Sequence, residues 1–450
     1  MKTPSKLKVI ELFAGVGGFR LGLEGLGPKH LSSTSGYKKP LKNKIPFHIK
    51  YSNQYEPLKK KQHANDIYSK RFSKIKDSTH YEKDINYLLT EEKRGELKIK
   101  CDLLVGGFPC QNYSVASLLR DAKGLIGEKG ILWWEIERIL NKLKDQDKAP
   151  DYLLLENVNK LLISPTKRPG EPDNAGRDFA IILSSLARLD YNVEWRMINA
   201  ADYGFPQKRR RVFIFGFKRT SKISKILKDY SLEEILFHHG IIAKPFPCKS
   251  KKNTKELPFE RVISKDPEDY VKNYSDGRFK SAGVMINGKL FQDDVIADYN
   301  KGFKNLKSIL VSKSKVPEEF YVRDKETIKK WEIEKGPQTK TRIPKKGKEY
   351  EWKVGRMNFP DPLDQPSRTI VTSEGSKSPS RIHHIIQDKD GDYRRLTPIE
   401  LEKLNMFPED FTRLDGVTDT MRAFLMGNAL VIGVVEKIGT NLSKMIHDSI

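Results

Sequence analysis

The chain has 450 residues, of which 37% are apolar and 10% aromatic. This length is sufficient for a sizeable core, and the composition differs clearly from that of a disordered chain. The 83 Lys and Arg residues outnumber the 59 Asp and Glu residues, so the net charge is +24. Such an excess favours a polyanionic partner, either nucleic acid or an anionic membrane surface. A general lysine bias would raise the charge as well.

Several classes of protein are disfavoured by simple patterns. No run approaches the roughly 18 apolar residues that cross a bilayer, so we expect no membrane span. The first apolar stretch is too short for the core of a signal peptide. Three cysteines, Cys101, Cys110 and Cys248, cannot form a disulfide framework, which favours a reducing cytosol. Their spacing relative to the histidines predicts no metal site.

Residues 8–217 alternate short apolar strands with helical stretches. The predicted strands lie at residues 8–13, 47–52, 102–105, 152–155 and 211–217. Helices are predicted at residues 131–143 and 177–189. Apolar strands separated by helices are typical of a parallel sheet that is covered on both faces. Ligands of such sheets bind beyond the carboxyl ends of the strands, where glycine-rich and polar segments stand in this sequence.

A glycine-rich segment, Phe13-Ala14-Gly15-Val16-Gly17-Gly18-Phe19, follows the first strand and opens a helix. Glycines let the backbone approach a ligand, and the helix N–H groups point into the turn. The segment matches neither the P-loop nor the dinucleotide fingerprint, and a tight turn alone is the alternative interpretation. The second strand ends at Ser52-Asn53-Gln54-Tyr55-Glu56, where an acidic or amide side chain can hold ribose hydroxyls.

The segment Gly106-Gly107-Phe108-Pro109-Cys110-Gln111 places a thiol in a loop at a strand end. A cysteine there can be partly exposed, with a pKa lowered by helix ends or cations. The usual alternative is a buried, inert thiol, which we favour for Cys101 and Cys248. For Cys110 we favour reactivity, because packing alone does not need the preceding glycines and proline.

Two further segments carry charge at predicted strand ends. Leu155-Glu156-Asn157-Val158 offers a carboxyl group that, if desolvated, stays protonated and donates to a ring nitrogen. The alternative is an acid that stabilises a helix N-terminus. Pro206-Gln207-Lys208-Arg209-Arg210-Arg211 leads into a strand, so Arg209 and Arg211 share one face and Arg210 takes the other. A solvated charge run is the alternative there.

The character of the chain changes after residue 218. Residues 219–380 contain 34 Lys and Arg against 23 Asp and Glu and show no sustained helical or alternating pattern, which predicts a separate, irregular, β- or loop-rich module. Residues 28–50 form a second basic insertion. At Arg395-Leu396-Thr397-Pro398-Ile399-Glu400 a threonine cap and a proline predict a helix start, and residues 423–438 predict a turn plus a helix.

Six motifs, in this order, resemble those of the DNA cytosine-5 methyltransferase family of restriction–modification type. The glycine segment is similar to the family's S-adenosylmethionine loop, Gly107-Phe108-Pro109-Cys110-Gln111 to its Pro-Cys motif, and Glu156-Asn157-Val158 to its Glu-Asn-Val motif. Gln207-Lys208-Arg209-Arg210-Arg211 resembles its Gln-x-Arg-x-Arg signature. The segments 395–400 and Gly427-Asn428-Ala429 resemble its last two motifs.

The resemblance implies an α/β fold, namely a Rossmann-like class I methyltransferase fold with a mostly parallel sheet. A smaller irregular, β- and loop-rich target-recognition domain would accompany it. Residues 1–218 would form the first part of the catalytic and S-adenosylmethionine-binding domain. Residues 219–384 would form the target-recognition domain, and residues 385–450 would return to the catalytic domain.

The resemblance also assigns catalytic roles. Cys110 would add to C6 of a cytosine that has been rotated out of the duplex, which makes C5 nucleophilic. Glu156 and Arg209 would donate to the N3 and O2 side of the ring, and Arg211 would orient Glu156 or contact phosphate. The substrate-binding residues that the resemblance implies are Phe108, Gln111, Ser114, Asn157, Val158 and Gln207.

S-adenosyl-L-methionine is the implied cofactor, with S-adenosyl-L-homocysteine as product and no metal. Phe13 would cover the adenine, and Gly15 and Gly17 would admit the methionine part. The implied cofactor-binding residues are Phe13, Ala14, Gly15, Gly17, Gly18, Phe19, Gln54, Tyr55, Asp84, Ile85, Pro109, Leu132, Asn428 and Ala429. Gln54 stands where the family usually has Glu, so the ribose contact is weaker or is supplied by Glu56.

The expected partner is double-stranded DNA, with a possible cognate restriction endonuclease that acts independently. We expect a monomer in the bacterial cytosol, without membrane contact. An RNA cytosine-5 methyltransferase is an alternative, disfavoured by the length of the 219–380 segment. A catalytically silent DNA-binding relative is another, disfavoured by the intact Cys110, Glu156 and Arg209. The 28–50 insertion is either a solvated loop or an added DNA contact.

Overall fold

The computed structural model describes residues 6–25, 47–57, 59–85, 87, 100–108, 131–164, 174–251, 261–274, 277–342 and 349–447. The strands of this part are β1 (Leu7–Leu12), β2 (Phe47–Asn53), β3 (Thr79–Tyr81), β4 (Leu103–Gly107), β5 (Tyr152–Val158), β6 (Tyr191–Asn199), β7 (Arg210–Lys218), β8 (Cys248–Ser250), β9 (Arg261–Val262), β10 (Ala282–Ile286), β11 (Lys289–Asp293), β12 (Val295–Ala297), β13 (Gln338–Arg342), β14 (Tyr350–Val354), β15 (Ile386–Gln387) and β16 (Tyr393–Arg394).

Helices pack on this framework along the whole described chain. They are α1 (Gly18–Glu24), α2 (His63–Phe72), α3 (Ile131–Asp145), α4 (Arg177–Arg188), α5 (Lys222–Leu227), α6 (Pro267–Asn273), α7 (Lys325–Lys335), α8 (Pro398–Leu404), α9 (Asp419–Asn428) and α10 (Ile432–His447). A short α-helical and π-helical turn occupies residues 232–239.

The described residues form one main sheet of ten strands in the order β3-β2-β1-β4-β5-β7-β6-β10-β11-β9. The neighbours from β3 to β5 pair in parallel, whereas β7 runs antiparallel to both β5 and β6. Across the whole sheet, seven of these ten strands point the same way. The expected α/β fold with a mostly parallel sheet is therefore confirmed.

Two apolar layers cover the two faces of the sheet. Val9 belongs to the layer that includes α1, α2 and α10, whereas its neighbour Ile10 belongs to the layer that includes α3 and α4. Successive strand residues point to opposite faces, so an uninterrupted apolar run is required when both faces are buried. This is why the central strands read as continuous apolar stretches.

Part of the segment predicted as a separate module extends the main sheet. β10 pairs antiparallel with β6, and β10 and β11 form a hairpin at Asn287-Gly288, where both residues have positive φ (51° and 83°). An Asn-Gly pair between apolar runs is a strong hairpin signal, but this hairpin was not among the predicted elements. Nor was α7, whose N-cap Asp324 accepts from the amide of Thr327.

The C-terminal segment packs back against the start of the chain. Thr397 and Glu400 form a capping box at the start of α8, as the threonine–proline pattern predicted. The stretch predicted as a turn plus a helix is instead α9, a short turn and α10. A Cβ on Gly22 of α1 would lie 2.6 Å from Val435 Cγ1 of α10, so these two helices meet closely.

One stretch of described residues, Asp419–His447, has the length and hydropathy of a membrane-crossing helix, but core helices pass the same test. Within this stretch, 67% of the 18-residue window with high hydropathy is buried inside the protein, as in a core helix.

Candidate active site

Most of the predicted site segments meet at one edge of the main sheet. The parallel strands β1, β2, β4 and β5 end there, and the antiparallel strand β7 begins there. Val158 at the end of β5 is paired with Arg211 at the start of β7. Because β7 runs in the opposite direction, the arginine motif, which precedes β7 in the sequence, lies at the same edge as the motifs that follow the parallel strands.

The glycine loop after β1 is a tight turn built on positive φ angles. Phe13, Gly15 and Gly17 have φ values of 53°, 54° and 92°. A Cβ on Gly17 would lie 2.4 Å from Phe72 Cε2, whereas a Cβ on Gly15 would meet nothing within 4 Å. Gly17 is therefore required for packing beneath the loop, while Gly15 faces open space that a ligand can fill.

The strand end after β2 supports this loop. Gln54 Oε1 accepts a hydrogen bond from the Gly15 amide at 2.7 Å, and the Ala14 amide donates to the Asn53 carbonyl at 3.0 Å. The sequence motifs did not predict this loop-fastening role of Gln54. Tyr55 is exposed, and beyond β3 Asp84 is exposed while Ile85 is buried.

A buried polar network lies directly beneath the glycine loop. Glu11 of β1 accepts from the Arg20 amide at 3.2 Å and from the Tyr68 hydroxyl at 2.8 Å. Burial raises the pKa of Glu11 to about 7, against the lowering effects of Tyr68 and Arg20. These bonds fix the first turn of α1, in which Phe19 is buried. The signal in the sequence is a lone acid inside an apolar strand.

The strand β4 leads into the predicted Pro-Cys motif. Phe108 is buried, with its ring centroid 6.0 Å from that of Trp133 on α3, and its carbonyl accepts from Asn157 Nδ2 at 3.0 Å. This bond ties the ends of β4 and β5 together. Pro109, Cys110, Gln111 and Ser114 lie outside the described residues, as does the side chain of Leu132, whose backbone belongs to α3.

Glu156 and Arg211 form an ion pair, with Arg211 Nε 3.0 Å from Glu156 Oε1. Burial raises the pKa of Glu156, while Arg211 and then Arg209 lower it. Glu156 Oε2 would lie 3.4 Å from a Cβ on Gly107, so the carboxyl group stands beside the strand that leads to the Pro-Cys motif. The site therefore presents a desolvated carboxyl group beside the described end of the strand that precedes the predicted nucleophile in the sequence.

Arg209 and Gln207, for which substrate contacts were expected, make hydrogen bonds within the chain. Arg209 is 2% exposed and donates to the carbonyls of Ile370 (3.3 Å) and Gly427 (2.8 Å). Gln207 is fully buried, donating to Asn405 Oδ1 at 2.9 Å and accepting from the Ile370 amide at 3.2 Å. Their polar groups hold the C-terminal segment against β7, because buried donors and acceptors need partners.

The last motif, Gly427-Asn428-Ala429, ends α9 close to the glycine loop. A Cβ on Gly427 would lie 2.5 Å from the Thr372 amide nitrogen, so only glycine allows this approach. Asn428 is exposed, and the next turn places Leu430 against Gly18, whose Cβ would be 3.1 Å from Leu430 Cγ. The first and last motifs are therefore neighbours.

A cationic cleft of about 440 Å³ opens beside the Glu156–Arg211 pair. Its described lining residues are Asn159, Asn199, Lys208, Arg210, Arg211, Arg368 and Thr369. Of these, the sequence motifs predicted a role only for Arg211. The signal in the sequence was the alternation of Lys208 and Arg210 with the inward-facing Arg209 and Arg211.

The two cysteines within the described residues are buried free thiols. Burial raises the pKa of Cys101 far above its usual range and also raises that of Cys248. A raised pKa keeps a thiol protonated and unreactive, as predicted for both. The described residues contain no cluster of three or more side chains that could hold a metal ion.

Comparison with known proteins agrees with this arrangement. Residues 7–444 match the family described as C-5 cytosine-specific DNA methylase. The chain is 43% identical to the type II methyltransferase M.Sau3AI of Staphylococcus aureus over 98% of this chain and 96% of the relative. It is 25% identical to the type II methyltransferase M.SsoII of Shigella sonnei over 97% and 80% of the two chains.

Two solved structures show the same fold. A methyltransferase of Entamoeba histolytica, EhMeth, has a TM-score of 0.53 and 16% identity, with 99% of both chains covered. A DNMT2 mutant of Spodoptera frugiperda has a TM-score of 0.54 and 14% identity, with 97% of this chain and 99% of that chain covered. Since the motifs, their meeting at one sheet edge and the match over almost the whole length agree, the chain belongs to the family of C-5 cytosine-specific DNA methylases.

Proposed function

We propose that the protein methylates C5 of a cytosine in a specific sequence of double-stranded DNA, through a covalent bond between Cys110 and C6. The observation that carries this proposal is the Glu156–Arg211 pair, which stands at the edge where β4 leads to Cys110. The DNA substrate is favoured over RNA by the family match, and a reactive site is favoured over a silent one by the paired carboxyl group.

In this mechanism the chain polarises the ring and supplies the nucleophile. The Cys110 thiolate adds to C6, while protonated Glu156 donates toward N3 of the same ring. Arg211 holds Glu156 and meets charge at O2. The Cys110–C6 bond breaks again when the C5 proton is lost, because a thiolate is also a good leaving group. The base must leave the stack to reach these groups.

We reassign two residues within this mechanism. Arg209 and Gln207 were expected to touch the substrate, but their contacts to Ile370, Gly427 and Asn405 are internal. We propose that they position the start of β7, so that Arg211 rather than Arg209 faces the ring.

Members of the family generally use S-adenosylmethionine, and the described loop fits it. The cofactor supplies an electrophilic sulfonium methyl group when bound. A Cβ on Gly15 would project into open space that a ligand can fill, and the φ of 54° at this position favours glycine. We propose that Phe13, Gly15 and Phe19 hold the cofactor, with Tyr55, Asp84, Ile85, Asn428 and Ala429 around it. Gln54 would act by fastening the loop.

The decisive test uses the predicted nucleophile. Cys110→Ala should abolish transfer of labelled methyl from S-adenosylmethionine to duplex DNA while leaving cofactor binding unchanged. Cys248→Ala, which removes a buried thiol, is the matched control and should keep the activity. DNA with fluorine at C5 of the target cytosine should form a denaturation-resistant adduct with the wild type and with Cys248→Ala but not with Cys110→Ala, because fluorine cannot leave as a proton does. Unchanged turnover in Cys110→Ala would refute the covalent route.

Substrate class and target sequence are tested together by sequencing. Bisulfite sequencing of DNA from cells that express the chain should show methylcytosine at one recurring short sequence. Labelled methyl should enter duplex DNA and not tRNA, and the reverse result would favour the RNA alternative.

We further propose that the chain acts as a monomer in the bacterial cytosol. A restriction endonuclease of the same specificity would then cut independently of it. Light scattering of the purified protein tests the monomer, which a dimer mass at micromolar concentration would contradict.

A further inference from the structure

The cationic cleft beside the Glu156–Arg211 pair is not used by the mechanism above, apart from Arg211. Among its described lining residues are four cations, Lys208, Arg210, Arg211 and Arg368, and no carboxylate. The volume of about 440 Å³ is open to solvent and polar. A site of this composition suits an anion rather than an apolar ligand.

Two of the cations are available to a ligand. Lys208 and Arg210 are exposed, and within the described part of the chain neither forms an ion pair with a carboxylate. Both cations act electrostatically on Asp202. Burial raises the pKa of Asp202, whereas Arg210 and Lys208 lower it. Asp202 is itself hydrogen bonded to Asn199 Nδ2 at 2.8 Å. Lys208 and Arg210 thus stand at the two solvent-facing positions between the inward-facing Gln207, Arg209 and Arg211.

The third cation, Arg368, is fixed in place by a buried ion network. Its Nε lies 2.6 Å from Asp361 Oδ1, and Asp361 Oδ2 is 2.9 Å from the fully buried Lys335 Nζ. Asp361 is thus shared between Arg368 and Lys335, which fixes the guanidinium group of Arg368 at the cleft wall. Arg368 therefore contributes a fixed field, while Lys208 and Arg210 contribute movable donors.

We propose that this cleft binds a phosphodiester group of the DNA strand that enters the active site, with Lys208 and Arg210 as its ligands. The inference rests on the proposed function, which makes DNA the substrate. Phosphates are the anions that DNA presents at every nucleotide, and Lys and Arg bind them without reading sequence. A phosphate held next to Arg211 fixes the register of the strand relative to Glu156.

The test is a charge-removing double variant, Lys208→Gln with Arg210→Gln. A phosphate contact contributes about −0.9 to the slope of log affinity against log salt, so losing the one phosphate in this site should make the slope about 1 less steep. Affinity at low salt should fall about 10-fold or more, equally for two duplexes of unrelated sequence. Fluorescence anisotropy over a range of salt concentrations measures both quantities, and S-adenosylmethionine affinity should not change.

The matched control is Lys225→Gln with Lys228→Gln, which removes the same charge beyond the opposite end of β7, in and just after α5. It should keep the wild-type slope. A wild-type slope in the cleft variant, or a loss confined to one duplex, would overturn the phosphate site. A wild type that transfers no methyl to DNA would instead refute the proposed function. If the wild type methylates DNA and the cleft variant keeps the wild-type salt slope, only the phosphate site is refuted and the proposed function stands.

Discussion

Two opposing influences act on the carboxyl group of Glu156. Burial raises its pKa, whereas Arg211, 3.0 Å away, lowers it. A carboxyl group with a raised pKa holds its proton closer to neutral pH and can donate it to a ring nitrogen. The residue types at this site were predictable from the Glu-Asn-Val and arginine motifs, and the family resemblance implied that Arg211 orients Glu156. The burial that raises the pKa of Glu156 depends on the tertiary structure.

Replacing Glu156 by Gln should reduce methyl transfer by about 10²- to 10⁴-fold, because the amide cannot deliver a proton. The expected loss lies in kcat, with S-adenosylmethionine affinity unchanged. Steady-state kinetics with labelled cofactor measure both. A variant with wild-type kcat would exclude Glu156 as the proton donor.

The pH dependence should report the ion pair with Arg211. Activity that needs protonated Glu156 is lost as the pH rises through its pKa. Since Arg211 lowers this pKa, Arg211→Met should raise it and move the alkaline limb of the kcat profile to higher pH. Lys218→Met, at the far end of β7, removes the same charge and should leave the limb in place. If the alkaline limb of the kcat profile lies at the same pH in Arg211→Met as in the wild type, the protonation of Glu156 does not determine that limb.

At the scale of elements, the glycine loop and α1 act as one unit. The loop is fastened from β2 by Gln54 and from below by Glu11, and α1 packs on α10. The strand–loop–helix order was predicted from the sequence because it depends on local glycine and apolar patterns. The bonds from Gln54 and Glu11 were not predicted, since they depend on how the folded chain brings separate segments together.

Substitutions of Gly17 and Gly15 should distinguish a glycine that is needed for packing from a glycine that is needed for ligand binding. Gly17→Ala combines positive φ with a Cβ 2.4 Å from Phe72, so the free energy of unfolding should fall by about 3 kcal/mol. Gly15→Ala meets no protein atom, so it should cost only about 1 kcal/mol but weaken S-adenosylmethionine binding. Urea unfolding and calorimetric titration measure the two effects. Equal loss of stability in both variants would contradict this division.

At the scale of the whole molecule, a buried charge cluster joins α7 to Arg368, one of the residues that line the cationic cleft. Lys335 and Arg368 both contact Asp361. Burial by itself raises the pKa of Asp361, but His384, Arg368 and Lys335 together lower it to about 2. The cluster therefore stabilises the region that the sequence suggested was irregular.

Asp361→Asn should lower the free energy of unfolding at pH 7 by about 3–5 kcal/mol, because two cations lose their partner. The folded-state pKa is depressed, so the stabilisation is present above about pH 4 and is lost as the pH falls toward 2. The difference between wild type and variant should shrink over that interval in urea titrations. The exposed pair Lys353–Glu351 is the control, and Glu351→Gln should cost under about 1 kcal/mol. A constant difference from pH 7 to pH 2 would contradict the assignment.

The sequence by itself determined five strands of the main sheet (β1, β2, β4, β5 and β7), the helices α3 and α4, the glycine turn, the cap of α8 and the family, but not α2, β3 or β6. These depend on residues close together in the chain, or on motifs whose order is visible without coordinates. The tertiary structure decided the direction of β7, which brings Arg211 to Glu156, and the burial of Arg209 and Gln207 against the C-terminal segment. It also decided that β10 and β11 extend the main sheet. Strand pairing and long-range burial depend on which surfaces remain to be covered once the chain has folded, and no local pattern contains that information.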